Sequence, residues 1–167
     1  PQGVFADLAK MRLAQLKAEQ PDGWTGSVVA AARADGEAER LLEEAIRREA
    51  AGTPEASAAA VGLYREAASR GLAAAMYQLA RALDRGRGVA RNVGEAAGWY
   101  RKAADLGHAP SMTALGTLYE FGEAAPLDLA EALRLYRLAA EAGDAQGMTS
   151  LAYLYQRGKG VPLDAGE

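Results

Sequence analysis

Residues 73–107 read AAAMYQLARALDRGRGVARNVGEAAGWYRKAADLG, and this stretch decides the fold. Apolar residues in its first half recur at i, i+3, i+4 and i+7, the spacing of one helix face. These residues are Met76, Leu79, Ala80 and Leu83. A similar stripe follows in the second half. The stretch therefore predicts two helices, over about 73–85 and 93–106, joined by a loop.

The pattern returns every 36 residues along the chain. The recurring positions include Tyr64/Tyr100/Tyr136, Met76/Met112/Met148, Leu79/Leu115/Leu151 and Gly71/Gly107/Gly143. A fixed period of this length identifies a repeat architecture. A single helical hairpin cannot bury its apolar stripe, so neighbouring hairpins must stack and share a core. We expect the recurring tyrosines and methionines to lie in that core.

The predicted helix ends carry recognisable signals. Three pairs fit capping boxes, in which a side chain accepts from a free backbone N–H and a glutamate reaches back to the cap. The pairs are Asn92 with Glu95, Asp128 with Glu131 and Asp164 with Glu167. Thr53 before Pro54 predicts a further helix start. The glycines at 71, 107 and 143 are expected to close helices in the left-handed conformation.

Composition agrees with an all-α protein. The chain has 40 alanines and 20 leucines, whereas valine, isoleucine and threonine together number 13, which leaves little material for strands. No run of 18 apolar residues is present, so no membrane insertion is expected. The absence of cysteine excludes disulfides, thiolate zinc sites and cysteine nucleophiles. A net charge of −3 argues against a nucleic-acid partner.

Upstream of the repeats the pattern blurs. Helical spacing is clear over residues 37–50. Weaker helical patterns, separated by a loop at 21–26, cover residues 4–19 and 27–35. Because terminal units of a solenoid need a polar outer face, we interpret residues 1–53 as degenerate N-terminal capping helices. The sequence thus predicts one domain over 1–167, with three repeats in 54–167, the last incomplete.

The order of the motif residues resembles the Sel-one-like repeat, a subclass of tetratricopeptide-like helical hairpins. The matching positions are Leu79, Ala80, Leu83, Gly86, Gly88, Val89, Asn92, Ala96, Trp99, Tyr100, Lys102, Ala103, Ala104 and Gly107. The resemblance covers about residues 57–167. Residues 122–126, GEAAP, lack the second glycine and the valine of the family's loop. We therefore expect the backbone of that loop to differ.

The resemblance implies an all-α, right-handed α-solenoid of antiparallel helix pairs. It also implies a protein-protein interaction scaffold or adaptor, in bacteria often associated with regulation or with the cell envelope. We accordingly expect a protein or peptide partner held on the concave surface, no catalysis and no cofactor. The bacterial periplasm or cell envelope is favoured over the cytoplasm. The oligomeric state is left open.

The sequence offers little for catalysis or metal binding. His108 is the only histidine, and the equivalent repeat positions hold Leu72 and Asp144, so it is interpreted as a surface turn residue. One histidine without cysteine does not supply a usual metal-ligand set. The segment at 86–92, GRGVARN, follows a helix and not a strand, which argues against a phosphate-binding loop.

By analogy with tetratricopeptide hairpins, the first helix of each pair lines the concave face, where repeat positions that differ from one another are candidates for recognition. The candidate partner-binding residues are Tyr77, Arg81, Arg85, Thr117, Glu120, Phe121, Tyr153 and Arg157. Phe121 is distinctive because both equivalent positions hold arginine. It is either an exposed anchor for a partner or a local cover for the loop that contains Pro126.

Two further patterns leave alternatives open. Tyr77 with Arg81, and Tyr153 with Arg157, are i,i+4 pairs that either hold a carboxylate or aromatic group or stack on each other. Residues 81–102 carry six basic and two acidic side chains, whereas residues 120–144 carry two and six. This asymmetry fits a complementary partner, contact between copies or ordinary solvated faces.

Two other functions compete with the scaffold. One is a glycan- or peptidoglycan-binding or hydrolytic module of the envelope, which convergent carboxylates beside an aromatic platform would favour. The other is a nucleic-acid grip through residues 81–102, which predicts binding that weakens steeply with salt. The overall acidity of the chain disfavours the second.

Overall fold

The computed structural model of the protein describes residues 36–158. The predicted helices over 4–19 and 27–35, and the cap of Asp164 with Glu167, lie outside the described residues. The elements are α1 (Gly36–Glu49), α2 (Pro54–Ser69), α3 (Ala73–Arg85), α4 (Val93–Asp105), α5 (Ala109–Phe121), α6 (Leu129–Glu141) and α7 (Ala145–Gln156). All elements within residues 36–158 are α-helices, which confirms the all-α prediction.

Helices that are neighbours in the chain are also neighbours in space. Helices α1 and α2, α3 and α4, and α5 and α6 form hairpins, and each hairpin packs against the next. Contacts that link only adjacent units are the signature of a solenoid. The stacked helical repeats predicted from the period are confirmed.

The core of the stacked hairpins consists of two clusters, with Tyr64 and Tyr100 in the first, Tyr136 in the second, and Tyr119 packed against both. The three recurring tyrosines are buried, as is Leu79. Small residues allow the close approach, since a Cβ added at Gly116 would lie 2.8 Å from the Tyr136 ring. Ala103 and Ala139 are fully buried for the same reason. The alternation of large and small side chains therefore fills the space between helices.

The recurring methionines do not all belong to the core. Met76 is 7% exposed, whereas Met148 is 49% exposed, so the prediction of a buried Met148 was wrong. Met148 lies on α7, the last described helix, which packs against α5 and α6 and has no described helix beyond it. The repeat pattern alone does not reveal which recurring positions are exposed on the last described helix.

Of the two hydrogen bonds that define each predicted capping box within residues 36–158, one is present. The Asn92 side chain accepts from the Glu95 N–H at 3.1 Å, and Asp128 makes the equivalent bond. However, the Asn92 backbone N–H donates to the Leu83 carbonyl at 2.9 Å, so the glutamate does not close the box. The backbone of Asp128 is likewise bonded to the Tyr119 carbonyl. Each loop thus ties itself to the preceding helix with the N–H that a capping box would use.

The remaining end signals are confirmed. Thr53 caps α2 by accepting from the Ala56 N–H at 3.2 Å, with Pro54 in the first turn. The three closing glycines have positive φ angles, at Gly71, Gly107 and Gly143. A positive φ costs glycine little, which explains the recurrence of this residue.

Candidate functional site

The candidate residues on the first helices fall into two groups. Phe121, Tyr153, Arg85 and Arg157 are exposed. Tyr77, Arg81, Thr117 and Glu120 are half-buried and contact other parts of the chain. Only the first group offers side chains that are free to meet a partner.

Thr117 and Glu120 hold the buried hydroxyl of Tyr136. That hydroxyl donates to Glu120 at 2.9 Å and lies 3.1 Å from the Thr117 hydroxyl. Burial, with a smaller contribution from Glu120, raises the pKa of Tyr136 to about 12. These contacts orient a core side chain, so both residues have a structural role.

Thr113, at the repeat position of Tyr77, belongs to the core. It is 6% exposed, and its hydroxyl donates to Asp144 at 2.7 Å. The same carboxylate accepts from the Gly147 N–H at 2.7 Å and so caps α7. Thr113 therefore fixes the start of α7 and is not available for recognition.

His108 is half-buried at the start of α5 and is not the surface turn residue that the sequence predicts. Its ring lies 5.1 Å from the Tyr77 ring, and its Nδ1 is 2.9 Å from the Ser111 hydroxyl. Burial lowers the pKa of His108, against a smaller opposing effect of Asp144. Contact with Tyr77 of the preceding hairpin thus half-buries His108, which the equivalent residues Leu72 and Asp144 do not indicate.

Both tyrosine-arginine pairs stack. The Arg81 guanidinium lies 5.6 Å from the centre of the Tyr77 ring, and Arg157 lies 4.6 Å from that of Tyr153. Arg81 also donates to Gln78 at 2.9 Å. The first pair is half-buried and the second is exposed, so of these two pairs Tyr153 with Arg157 is the one that faces solvent.

Phe121 is joined by an exposed apolar residue that sequence reasoning missed. Phe121 is 64% exposed and Leu127 is 62% exposed. Leu127 lies against Gly122, the residue after Phe121, because a Cβ there would be 3.2 Å from the Leu127 nitrogen. The equivalent of Leu127 one repeat earlier is Arg91. Comparing these two positions would have identified it.

The loops themselves are joined by ion pairs. Here the first loop is residues 86–92 and the second loop is residues 122–128. Arg91 of the first loop contacts Glu123 of the second at 2.9 Å, and Arg87 contacts Glu49 at 3.0 Å. Part of the predicted charge asymmetry is therefore neutralised within the chain.

The backbone of the second loop differs from that of the first, as expected. Gly88 has a φ of +69°, and a Cβ on it would lie 2.4 Å from the backbone of Ser57. Its equivalent is Ala124, and no residue other than glycine has a positive φ in the described part of the chain. An alanine cannot approach the helix as Gly88 does, so the second loop takes another path.

A cleft of about 240 Å³ lies where the second loop would otherwise pack. We call it the α4–α5 cleft. Its wall includes Gly94, Ala97, Gly98, Arg101, Leu115, Leu118, Tyr119, Ala124 and Ala125. The equivalent space in the previous repeat is filled by Val61, which is buried, and by Val89, which packs on the core. Alanine at both positions, 97 and 125, leaves the space open.

Residues 36–158 contain no group of three or more histidine, aspartate or glutamate side chains placed to hold a metal ion. None of the described helices has the length and hydropathy that crossing a bilayer requires.

In the comparison with protein families, the chain matches the Sel1 repeat. The match covers residues 51–72, 73–108, 109–144 and 145–167, which together make up more than half of the chain. These boundaries fall at the starts of α3, α5 and α7. No curated protein matches the chain.

Solved structures with the same repeat are similar. A protective antigen of uropathogenic Escherichia coli strains that displays an SLR fold is 33% identical, with a TM-score of 0.70 over 75% of this chain and 27% of that one. The Sel1 repeat protein from Oxalobacter formigenes is 27% identical, with a TM-score of 0.67 over 94% of this chain and 62% of that one.

The cysteine rich protein B of Helicobacter pylori, at 18% identity and a TM-score of 0.53 over 55% of this chain and 69% of that one, shares the fold. The chain spans about a quarter of the Escherichia coli relative and under two thirds of the Oxalobacter one. From its repeats and their boundaries, the chain belongs to the Sel1 repeat family.

Proposed function

We propose that this protein is a non-catalytic scaffold that binds a protein or peptide partner through its first-helix face, centred on Phe121. Sel1 repeat proteins are typically protein-interaction scaffolds. The observation that carries the proposal is an exposed phenylalanine with an exposed leucine beside Gly122. Large apolar side chains that remain exposed together are typical of recognition sites.

The surroundings of Phe121 supply the polar part of the surface. Tyr153 and Arg157 lie on or beside α7, which packs against α5, and their stacked side chains are exposed. Arg85 is exposed at the repeat position equivalent to Phe121. An exposed apolar residue, with exposed aromatic and arginine side chains on or beside the neighbouring first helices, matches the residue types that carry binding energy in interfaces.

The ionisable groups support a non-catalytic role. Burial alone would raise the pKa of Glu49, but hydrogen bonds from Tyr64 and Arg87 outweigh it and lower that pKa. The hydrogen bond from Arg134 lowers the pKa of Glu131. A general acid needs a raised carboxyl pKa, so these two carboxylates act as partners in structural ion pairs.

We extend the proposal to an envelope-associated role in a bacterium. It is supported by the solved relative that is a protective antigen of uropathogenic Escherichia coli strains.

The test is capture of a partner from an extract of the source cells by immobilised protein. We expect Phe121→Ala to weaken capture at least about tenfold while helicity and the melting temperature stay unchanged, because the side chain is exposed. Arg81→Ala is expected to have a smaller effect. Leu138→Ala removes another exposed apolar side chain, on α6, and is the matched control. Equal capture by the parent and Phe121→Ala proteins would show that the site is elsewhere.

A further inference from the structure

The α4–α5 cleft lies away from the proposed recognition face. Tyr119 is in the wall of the cleft, whereas Thr117 faces Tyr136. At about 100° per residue, these two positions are about 200° apart around α5. Any ligand of the cleft is therefore independent of a partner bound at Phe121.

The size of the cleft suits one side chain. Its volume of about 240 Å³ equals the share of about eight water molecules in the liquid. Pockets that enclose whole small-molecule ligands usually measure about 300–1,000 Å³. Glycine and alanine form the α4 side of the cleft, and leucines of α5 form the other, so the surface that meets the side chain is mainly apolar.

The polar part of the wall consists of hydrogen-bond donors. Arg101 donates to the Tyr119 hydroxyl, and its guanidinium lies 5.8 Å from the centre of that ring. Neither the remaining N–H groups of Arg101 nor the Tyr119 hydroxyl proton meets an acceptor among the described residues. Two donors that converge beside an apolar cleft favour an anion, and arginine suits a carboxylate in particular.

No nearby carboxylate among the described residues forms an ion pair with Arg101. Glu131 is bound twice by Arg134, at 2.7 Å for each oxygen, and the charge of Arg101 acts on it only as a minor influence on its pKa. In the repeat before, the equivalent Arg65 contacts Glu95 at 3.4 Å. Arg101 is thus positioned by its hydrogen bond to Tyr119 but forms no ion pair in the described part of the chain.

We infer that the α4–α5 cleft binds the C-terminal residue of a partner polypeptide. The apolar side chain of that residue fills the cleft beside Ala97, and its carboxylate accepts from Arg101 and Tyr119. Ala97 and Arg101 are one helical turn apart, about 6 Å, so the apolar group and the carboxylate must be close together in the ligand. A chain terminus carries both groups on one residue.

The other repeats lack this combination within the described residues. The next repeat has the same arginine-tyrosine bond, from Arg137 to Tyr155 at 2.8 Å. There the positions of Ala97 and Gly98 are taken by Leu133, which is buried, and by Arg134. Arg137 therefore provides the donors without the cleft and serves as a natural control.

The experiment is an amide NMR titration of the protein with N-acetyl-leucine, which mimics a C-terminal leucine. We expect shifts at the amides of Gly94, Gly98 and Ala124, with a Kd on the order of 1 mM for a fragment of this size. N-acetyl-leucinamide, in which a neutral amide replaces the carboxylate, is expected to bind at least about fivefold more weakly, since it cannot form a charge-assisted hydrogen bond with Arg101. The Arg101→Gln variant should lose the preference for the acid.

Substitutions with matched controls separate the cleft from general effects. Gly98→Leu fills the cleft and should abolish the shifts. A Cβ at Gly98 meets nothing within 4 Å, and the same holds for Gly62 one repeat earlier, so both leucine variants should fold. Gly62→Leu and Arg137→Gln should bind as the parent does.

Four results would overturn the inference, and the first three concern the protein variants and the parent. These three are the absence of shifts in the parent protein, equal binding by Gly98→Leu, and equal loss of acid preference in Arg101→Gln and Arg137→Gln. Tighter binding of 4-methylpentanoate, which lacks the peptide group, would assign the cleft to a free carboxylic acid and contradict a polypeptide terminus. Partner capture by the Phe121 face is a separate readout and is not affected by these outcomes.

Discussion

The first loop and the second loop have the same length and the same attachment to their helices, but different surfaces. The backbone bond from Asn92 to Leu83 in the first loop recurs from Asp128 to Tyr119 in the second. Of the differences between the loops and the helix ends before them, three matter most here. Arg85, Gly88 and Arg91 correspond to Phe121, Ala124 and Leu127.

These departures have consequences on both sides of α5. On one side, two arginines are replaced by exposed apolar side chains. On the other, Ala124 stands where Gly88 approaches the Ser57 backbone, and Ala124 and Ala125 line a cleft beside α4. The repeats preserve the contacts that hold hairpins together and vary the residues beside them. Function is therefore to be sought where one repeat departs from its neighbours.

The largest expected effect concerns a feature that the two repeats share. Tyr100→Ala should lower the free energy of unfolding by about 3–5 kcal/mol, because it leaves a cavity in the core between hairpins. Tyr136→Ala should cost a similar amount, as the equivalent core residue. Urea denaturation measures both. A loss under about 1 kcal/mol for either would contradict stacking on a common core.

The second prediction concerns Gly88, the glycine of the first loop that the second loop lacks. Gly88→Ala should lower the free energy of unfolding by about 2 kcal/mol or more, since the new Cβ meets the Ser57 backbone and φ is positive. The reverse change, Ala124→Gly, should cost under about 1 kcal/mol, because Ala124 has a negative φ and the change acts mainly by freeing the unfolded chain. Denaturation of the two variants under the same conditions checks this. Equal costs would mean that the loops do not differ as described.

The smallest expected effect distinguishes the start of α5 from that of α7. The pKa of His108 is lowered by burial in the folded protein, so as pH falls through about 6.5 the unfolded chain takes up the proton first. Stability should therefore decrease from about pH 7 to pH 5.5. At the start of α7 the equivalent position holds Asp144, not a histidine, so no such decrease is expected from that helix start.

His108→Gln is the variant that isolates this group. It should remove the decrease between about pH 7 and pH 5.5, and thermal melts over that interval measure it. The decrease below about pH 4.5 should stay in both proteins, because Glu49 and Glu131, whose pKa values are lowered, lose their ion pairs there. A variant with the parent's slope above pH 5 would assign the dependence to other groups.

Much of the fold could be predicted because it depends on sequence patterns that are local to one repeat. Helical spacing, the 36-residue register and the closing glycines each act within one repeat, so helices α3 and α4 were placed to within a residue. The change of loop path was also predictable, since Ala124 cannot adopt the conformation of Gly88.

Other features depend on which residues meet in space. The exposure of Met148 depends on the absence of a further described helix, and the contact of His108 with Tyr77 depends on how two hairpins are stacked. The α4–α5 cleft requires alanine at two positions that are far apart in sequence. Among the candidate site residues, burial separated Phe121 from Thr117, which sequence position could not do.

The most direct test of the difference between the repeats is the reactivity of single cysteines, which the cysteine-free sequence makes unambiguous. Val61 is 7% exposed, and its equivalent Ala97 lies in the wall of the cleft. Under native conditions, a maleimide should label Ala97→Cys rapidly, whereas Val61→Cys should react only after denaturation. Equal protection of the two cysteines would show that the second loop closes over α4 as the first closes over α2, and that no cleft exists.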